Sequence, residues 1–324
     1  MSYIEGFMVL DKEFLFIIGA PRSGTTWVQL MLGAHPAVCT SVELTLFVYT
    51  NRWIYIWDRQ VEDIAAERWH IGLPMIWNEE EFYGFLRQFL EQAYGRVWDG
   101  NPAITHILDK HPAYAAFVEE INRMVPNSRF IHVIRDGRDV AASMVSAKQQ
   151  MGFGTGTVTE SAVAWKEHVE WARKGRQFDG RYLELRYEEI MADPIAALTT
   201  LYDFCGLPAT PEQIKTIVDE HSFNRLKAER VSPVEGVTLP QNFYRKGKAG
   251  GWRDDIPPVE RFLFDRVAGD LLVELGYAEQ GWWAETASQR WWLPLQAVFS
   301  SRQRMRSAIK QGVRRLRRPI THGV

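Results

Sequence analysis

An α/β fold, with a central parallel sheet, helices on both its faces and a P-loop-type phosphate loop after its first strand, is predicted by three observations. Residues 14–18 (FLFII) form a short, continuous apolar run bounded by Gly19, the pattern of a strand buried on both faces. GAPRSGTT follows at once and opens a helix, on which Val28, Met31 and Leu32 recur at helical spacing. Further strand-like runs alternate with helical ones, which sets the strands parallel.

The later elements follow in order. From Glu43 to Trp98 the chain is rich in aromatic residues (Trp53, Tyr55, Trp57, Trp69, Trp77, Phe82, Tyr83, Phe85, Phe89, Trp98) without β alternation, and it reads as helices and loops. A second buried strand over 129–134 runs into RDGRDVAASM, where Asp136 and Gly137 make a turn before a helix. Residues 159–174 read as a helix with Val163, Trp165, Val169 and Ala172 inward, and 182–186 as a strand. Asp193 and Pro194 supply an N-cap and a first-turn proline for a helix reaching about Phe204. The last core helix, 258–275, is stopped by Gly276. One domain over 1–285 and a separate tail over 286–324 are expected.

Composition narrows the class. A chain of 324 residues, 46% hydrophobic and 24% charged, can bury a full core. Its two cysteines, Cys39 and Cys205, argue against a disulfide scaffold or a zinc knuckle and read as buried free thiols. The residues before Phe14 lack a basic n-region and an apolar h-region, and no apolar stretch reaches the roughly 18 residues of a membrane span, so a cytoplasmic location is expected. The net charge of −2 is segregated: residues 286–324 hold nine Lys or Arg and no acid, which leaves −11 on residues 1–285.

Gly19 to Thr26 spells G-x-x-x-x-G-T-T, matching the nucleoside-triphosphate loop except for its lysine, which Thr25 replaces. That lysine holds β and γ phosphates in triphosphate enzymes. Here the nearest cation is Arg22. Converging backbone N–H groups at a helix start still bind an anion, so the loop keeps anion binding and loses the triphosphate lysine.

Residues 20–27, APRSGTTW, resemble the 5′-phosphosulfate loop of sulfotransferases that use 3′-phosphoadenosine 5′-phosphosulfate (PAPS), especially bacterial and Golgi-type members. Residues 134–144, IRDGRDVAASM, resemble that family's 3′-phosphate segment, with Arg135 at a strand end and Ser143 eight residues on. Residues 244–252, YRKGKAGGW, are similar to its Arg-Lys-Gly loop over the 3′-phosphate. The resemblance implies transfer of a sulfuryl group from PAPS to a hydroxyl of a small-molecule, lipid or glycan acceptor, leaving adenosine 3′,5′-bisphosphate (PAP). PAPS has two anionic ends, so two phosphate sites are required. The matched positions assign Arg22, Ser23, Gly24, Thr25 and Thr26 to the 5′ end. Arg135, Ser143, Arg245, Lys246 and Gly247 are assigned to the 3′-phosphate. Trp27 and Tyr187, the latter in RYEEI, carry over as adenine contacts, with a core role the alternative for each.

Sulfuryl transfer needs a base for the acceptor proton and positive charge on the departing bridging oxygen. Glu43, in AHPAVCTSVE, resembles the base of the Golgi-type and bacterial enzymes. His111, in LDKHPAY, resembles the base of the cytosolic ones. The same stretch is similar to a Golgi-type Lys-Thr-Pro segment, which makes Lys110 an electrophilic helper. Glu43 is preferred and His111 stays open, with Arg22 stabilising charge on the departing phosphate. No His, Cys or carboxylate cluster has metal-ligand spacing, and no metal is expected.

The aromatic stretch lies where the family builds much of its acceptor pocket, so a hydrophobic or ring-bearing hydroxyl acceptor is expected, although much of the stretch reads equally as helix core. In the tail, Trp291, Trp292, Leu295, Val298 and Phe299 beside many arginines have the composition of an amphipathic helix at an anionic membrane, or of one docked on protein. No nucleic-acid fold motif is present. A homo-oligomer stays open. The rival readings are a P-loop small-molecule kinase, which predicts magnesium-dependent ATP binding, and a non-catalytic PAPS-binding or membrane-docking module.

Overall fold

The computed structural model describes residues 9–298 apart from 41–42, 69, 99, 234–236 and 246. Lys246, Trp69, Phe299 and the rest of the tail lie outside the described residues. Five parallel strands, β1 (Glu13–Ile18), β2 (Val38–Thr40), β3 (His106–Lys110), β4 (Arg129–Ile134) and β5 (Tyr182–Arg186), form one sheet in the order β2-β3-β1-β4-β5. The strands at 14–18, 129–134 and 182–186 stand where the sequence places them. β2 and β3 went unread, because three residues (VCT) and a polar run (HILDK) carry no apolar signature.

Helices of the described residues run, in chain order, α1 (Thr25–Gly33), α2 (Leu46–Ala65), α3 (Glu79–Trp98), α4 (Val118–Met124), α5 (Gly137–Met151), α6 (Val158–Ala172), α7 (Tyr187–Ala192), α8 (Pro194–Cys205), α9 (Pro211–Glu220), α10 (Phe223–Glu229), α11 (Trp252–Asp255) and α12 (Pro258–Glu274). Side chains alternate across β1: Leu15 and Ile17 pack with α1 and α8 on one face. Phe14, Phe16 and Ile18 pack with α2, α3 and α4 on the other. A third cluster joins α5, α6 and α12 through Val140, Trp165, Phe264 and Leu272.

Helix ends obey local chemistry. Asp136 caps α5, its carboxylate accepting from Arg138 N, so Gly137 is the first helical residue rather than part of a turn. Asp193 caps α8 with Pro194 at its first position, and Gly276, at φ 71°, follows α12. On α6, Trp165, Val169 and Ala172 are buried, but Val163 is exposed. Two residues span about 200° of a helix, which sets Val163 off the face of Trp165. Cys205 is buried, whereas Cys39 is only half-buried at the sheet's edge strand.

Residues 289–298 form a further helix whose Leu293 and Ala297 are buried. No helix among the described residues is long and apolar enough to cross a membrane.

Parallel strands send their C-terminal ends to one edge, and four of the site's segments leave from there. Gly19 follows β1, His111 follows β3, Arg135 follows β4 and Tyr187 follows β5. β1 lies between β3 and β4, so the chain switches sides of β1 between these strands, the place where open α/β sheets leave a crevice.

Candidate active site

A cleft of about 450 Å³ opens at that edge, lined by the loop after β1, Glu43, Lys110, Arg135, Ser143, Tyr187, Phe243, Tyr244, Arg245 and Gly247. The cleft thus brings together residues from the three separate sequence motifs.

Gly19 has φ 143°, and a Cβ there would lie 2.5 Å from Val133 O, so only glycine lets the loop leave β1 against β4. Gly24, at φ 95°, is pressed on Tyr187, whose ring would meet a Cβ at 2.5 Å. Arg22 holds a left-handed φ of 74°, a strained backbone of the kind that clusters at ligand sites. Its Nε donates to Ser143 Oγ at 3.1 Å and its guanidinium to Phe243 O, so the two predicted phosphate subsites share a wall. Ser23 Oγ is fully buried and unpartnered, and Arg135 Nε is likewise buried without an acceptor. Arg135 lines the cleft and Ser23 does not, so the orphaned donor at the cleft is Arg135 Nε, a partner for a bound anion.

Arg135 donates to Arg22 O at 3.1 Å and to Lys248 O at 3.3 Å, and its guanidinium stacks 4.3 Å from the Tyr187 ring centroid. Burial, then the charges of Arg135 and Arg245, pull the Arg22 pKa down to about 10. Arg22 stays cationic at neutral pH, and a bound anion relieves the mutual repulsion. Arg245 pairs with Asp255 at 2.7 Å. Gly247 has φ 54°, and a Cβ there would strike the Phe223 ring at 2.3 Å.

Trp27 and Tyr187 meet edge to face at 5.9 Å, and Trp27 Nε1 donates to His221 O at 2.8 Å. Both rings line the cleft while packing in the core. No described residue of the stretch Trp53–Trp98 lines the cleft. Its Trp57, Phe82, Tyr83 and Trp98 are core, whereas Trp53, Tyr55, Phe85 and Phe89 are exposed. The remaining aromatic walls come from Phe153, Phe223, Phe243 and Tyr244, which sequence reading passed over. Only Tyr244, first residue of YRKGKAGGW, carried a signal. Asp139 was also missed: its carboxylate accepts from Gly250 N at 2.7 Å and Trp252 N at 2.8 Å, tying the 245–252 segment to α5.

At the opposite wall Glu43 lies between two groups. Lys110 Nζ donates to Glu43 Oε1 and, at 3.4 Å, to Thr26 Oγ1 at the start of α1. His111 Nε2 stands 3.7 Å from Glu43 Oε2, too long for a direct hydrogen bond but open to a bridging water. Lys110 is buried while the Glu43 side chain stays 43% exposed, so the carboxylate faces the cleft. His111 Nδ1 accepts from Ala113 N at 3.1 Å, capping the short helix Pro112–Phe117. That bond leaves the ring proton on Nε2. Burial lowers the His111 pKa and holds the ring neutral.

Comparison with known proteins places these features. A profile of the sulfotransferase family matches residues 15–211. Protein-tyrosine sulfotransferase 1 of Danio rerio is 26% identical over 273 residues, covering 82% of this chain and 73% of its own. A flavonol sulfotransferase-like protein of Flaveria bidentis is 21% identical over 305 residues, 84% of this chain and 88% of its own. Among solved structures, a mouse sulfotransferase complexed with PAP superposes with a TM-score of 0.54 at 17% identity, covering 83% of this chain and 90% of that one, a likeness of fold.

Proposed function

Since this chain belongs to the sulfotransferase family, we propose that it moves a sulfuryl group from PAPS to a hydroxyl of its acceptor, with Glu43 as general base. The observation that carries the reading is a carboxylate held between a buried ammonium and a fixed imidazole, in the same cleft as the phosphate loop and as Arg135, whose Nε has no acceptor.

The cleft fits a donor with two anionic ends. Gly24, Thr25 and Thr26, with the backbone donors opening α1, suit the 5′ end, to which Ser23 belongs by sequence, and Arg135, Ser143, Arg245 and Gly247 suit the 3′-phosphate. Lys246 belongs to the same proposal by sequence alone. Arg22 touches both groups of residues and serves either. PAPS, when bound, supplies the activated sulfuryl group.

Glu43 accepts the acceptor hydroxyl's proton as the oxygen attacks. Lys110, between Thr26 and Glu43, offers fixed positive charge where negative charge grows, and Arg22 does so at the loop. His111 is poorly suited to be the base, because Nδ1 is committed to Ala113 and Nε2 already carries the proton. Its role in this reading is to orient Glu43 Oε2. Glu43→Gln is therefore expected to lower turnover of PAPS with a phenolic or alcoholic acceptor by about 10²–10⁴-fold. PAP affinity should persist. His111→Gln should retain most of the turnover and the acid limb of the pH–rate profile. Loss of activity in His111→Gln with an active Glu43→Gln would reverse the assignment.

The acceptor is proposed as a ring-bearing or hydrophobic hydroxyl compound, a class to which phenolic protein side chains belong. Support comes from Phe153, Phe223, Phe243 and Tyr244 in the cleft wall, and from the names of the tyrosine- and flavonol-directed relatives. The missing triphosphate lysine disfavours the kinase reading. A cytoplasmic location remains a proposal from sequence.

A further inference from the structure

The helix over 289–298 turns apolar residues in two opposite directions. Leu293 and Ala297, four apart, are buried at 0% and 4% exposure. Trp291, Leu295 and Val298, at spacings of four and three, stand out at 81%, 62% and 53%, with Trp292 beside them at 43%. A helix lying on its own domain normally turns a polar face outward. Scattered exposed apolar residues are ordinary, but an aligned Trp-Leu-Val stripe flanked by a second Trp is a surface built for contact.

What covers the stripe is indicated by the chain that follows it. Residues 302–318 carry eight Lys or Arg and no acid, whereas residues 1–285 carry −11. A strongly anionic body whose cationic excess follows an outward indole pair in the sequence fits a surface both negative and apolar just beneath. Indoles favour the polar-apolar boundary of a bilayer, and each basic residue gains attraction to acidic headgroups. Nucleic acid would match the charge but leave the Trp291-Leu295-Val298 stripe unused.

We propose that the helix 289–298 docks this protein on anionic lipid bilayers, with Trp291, Leu295 and Val298 inserting among the acyl chains. The inference is independent of the donor site and of the choice of base.

The test is co-sedimentation of the full chain with extruded vesicles of phosphatidylcholine alone, or mixed with phosphatidylglycerol. Binding to the anionic vesicles is expected, with little to the neutral ones and release near 1 M salt, where screening acts within about 3 Å. The double variant Trp291→Ser/Leu295→Ser should bind at least about tenfold more weakly. Its affinity for PAP, measured alongside, should match the parent and so report an intact fold. Absence of binding to either vesicle, or unchanged binding by the double variant, would overturn the proposal. So would a variant that only loses self-association in light scattering, which would assign the stripe to a second copy of the chain.

Discussion

Single atoms decide much of this site. A methyl group at Gly24 would meet the Tyr187 ring at 2.5 Å on a backbone of φ 95°. Gly24→Ala is thus expected to lose about 1–3 kcal/mol of stability. PAP affinity should fall with it, as read by thermal melting and titration; unchanged values for both would show that the loop is not pressed on Tyr187. Asp109, next to Lys110 on β3, is buried and accepts from Tyr94 Oη at 2.8 Å and Tyr114 Oη at 3.0 Å. Burial raises its pKa from 3.8 to about 6, the tyrosine hydrogen bonds opposing. The folded state then holds this proton more tightly than the unfolded chain. Its stabilising effect is complete below the unfolded pKa and lost as pH rises through about 6. Relative to Asp109→Asn, the parent should lose up to about 3 kcal/mol between pH 4 and 7. Urea unfolding at both pH values measures the difference, and a gap independent of pH would contradict the assignment.

Among the elements, α5 connects most of the donor site. Arg135 leads into it, Asp136 caps it, Gly137 lets Trp165 within 2.5 Å of where a Cβ would stand, and Ser143 rises from the end of its second turn. Asp139 fastens the 245–252 segment to the same helix. Removing that carboxylate leaves two backbone donors without their acceptor, at a cost of about 1–3 kcal/mol. Asp139→Ala should accordingly weaken PAP about tenfold or more while the conservative Asp139→Asn weakens it less; equal affinity in all three proteins would separate the segment from the donor site. The helix was legible from RDGRDVAASM, because a capping Asp and its glycine are local signals. The role of Asp139 was not, because its partners lie over a hundred residues away. The same division explains the strands: β1 and β4 announce themselves as apolar runs, while β3 carries His106, Asp109 and Lys110, whose partners are Cys205 O, two tyrosines and Glu43 from other elements.

At the scale of the molecule, the parallel sheet determines what meets what. Glu43, Lys110, Arg135 and Tyr187 are scattered through the sequence, and they converge because strand ends share one edge. Motif residues were therefore readable in advance, whereas Phe153, Phe223 and Phe243 were not, since only tertiary packing brings them to the cleft. Charge is also organised at this scale, a −11 body ending in a basic tail. The central claim, a metal-independent donor site for a nucleotide with separate 3′ and 5′ anions, is tested most directly by calorimetric titration of the purified protein with PAP. ATP with magnesium serves as the control and Arg135→Ala as the variant. Tight PAP binding without metal, abolished in Arg135→Ala, is the predicted result; binding of ATP-magnesium but not PAP would contradict it.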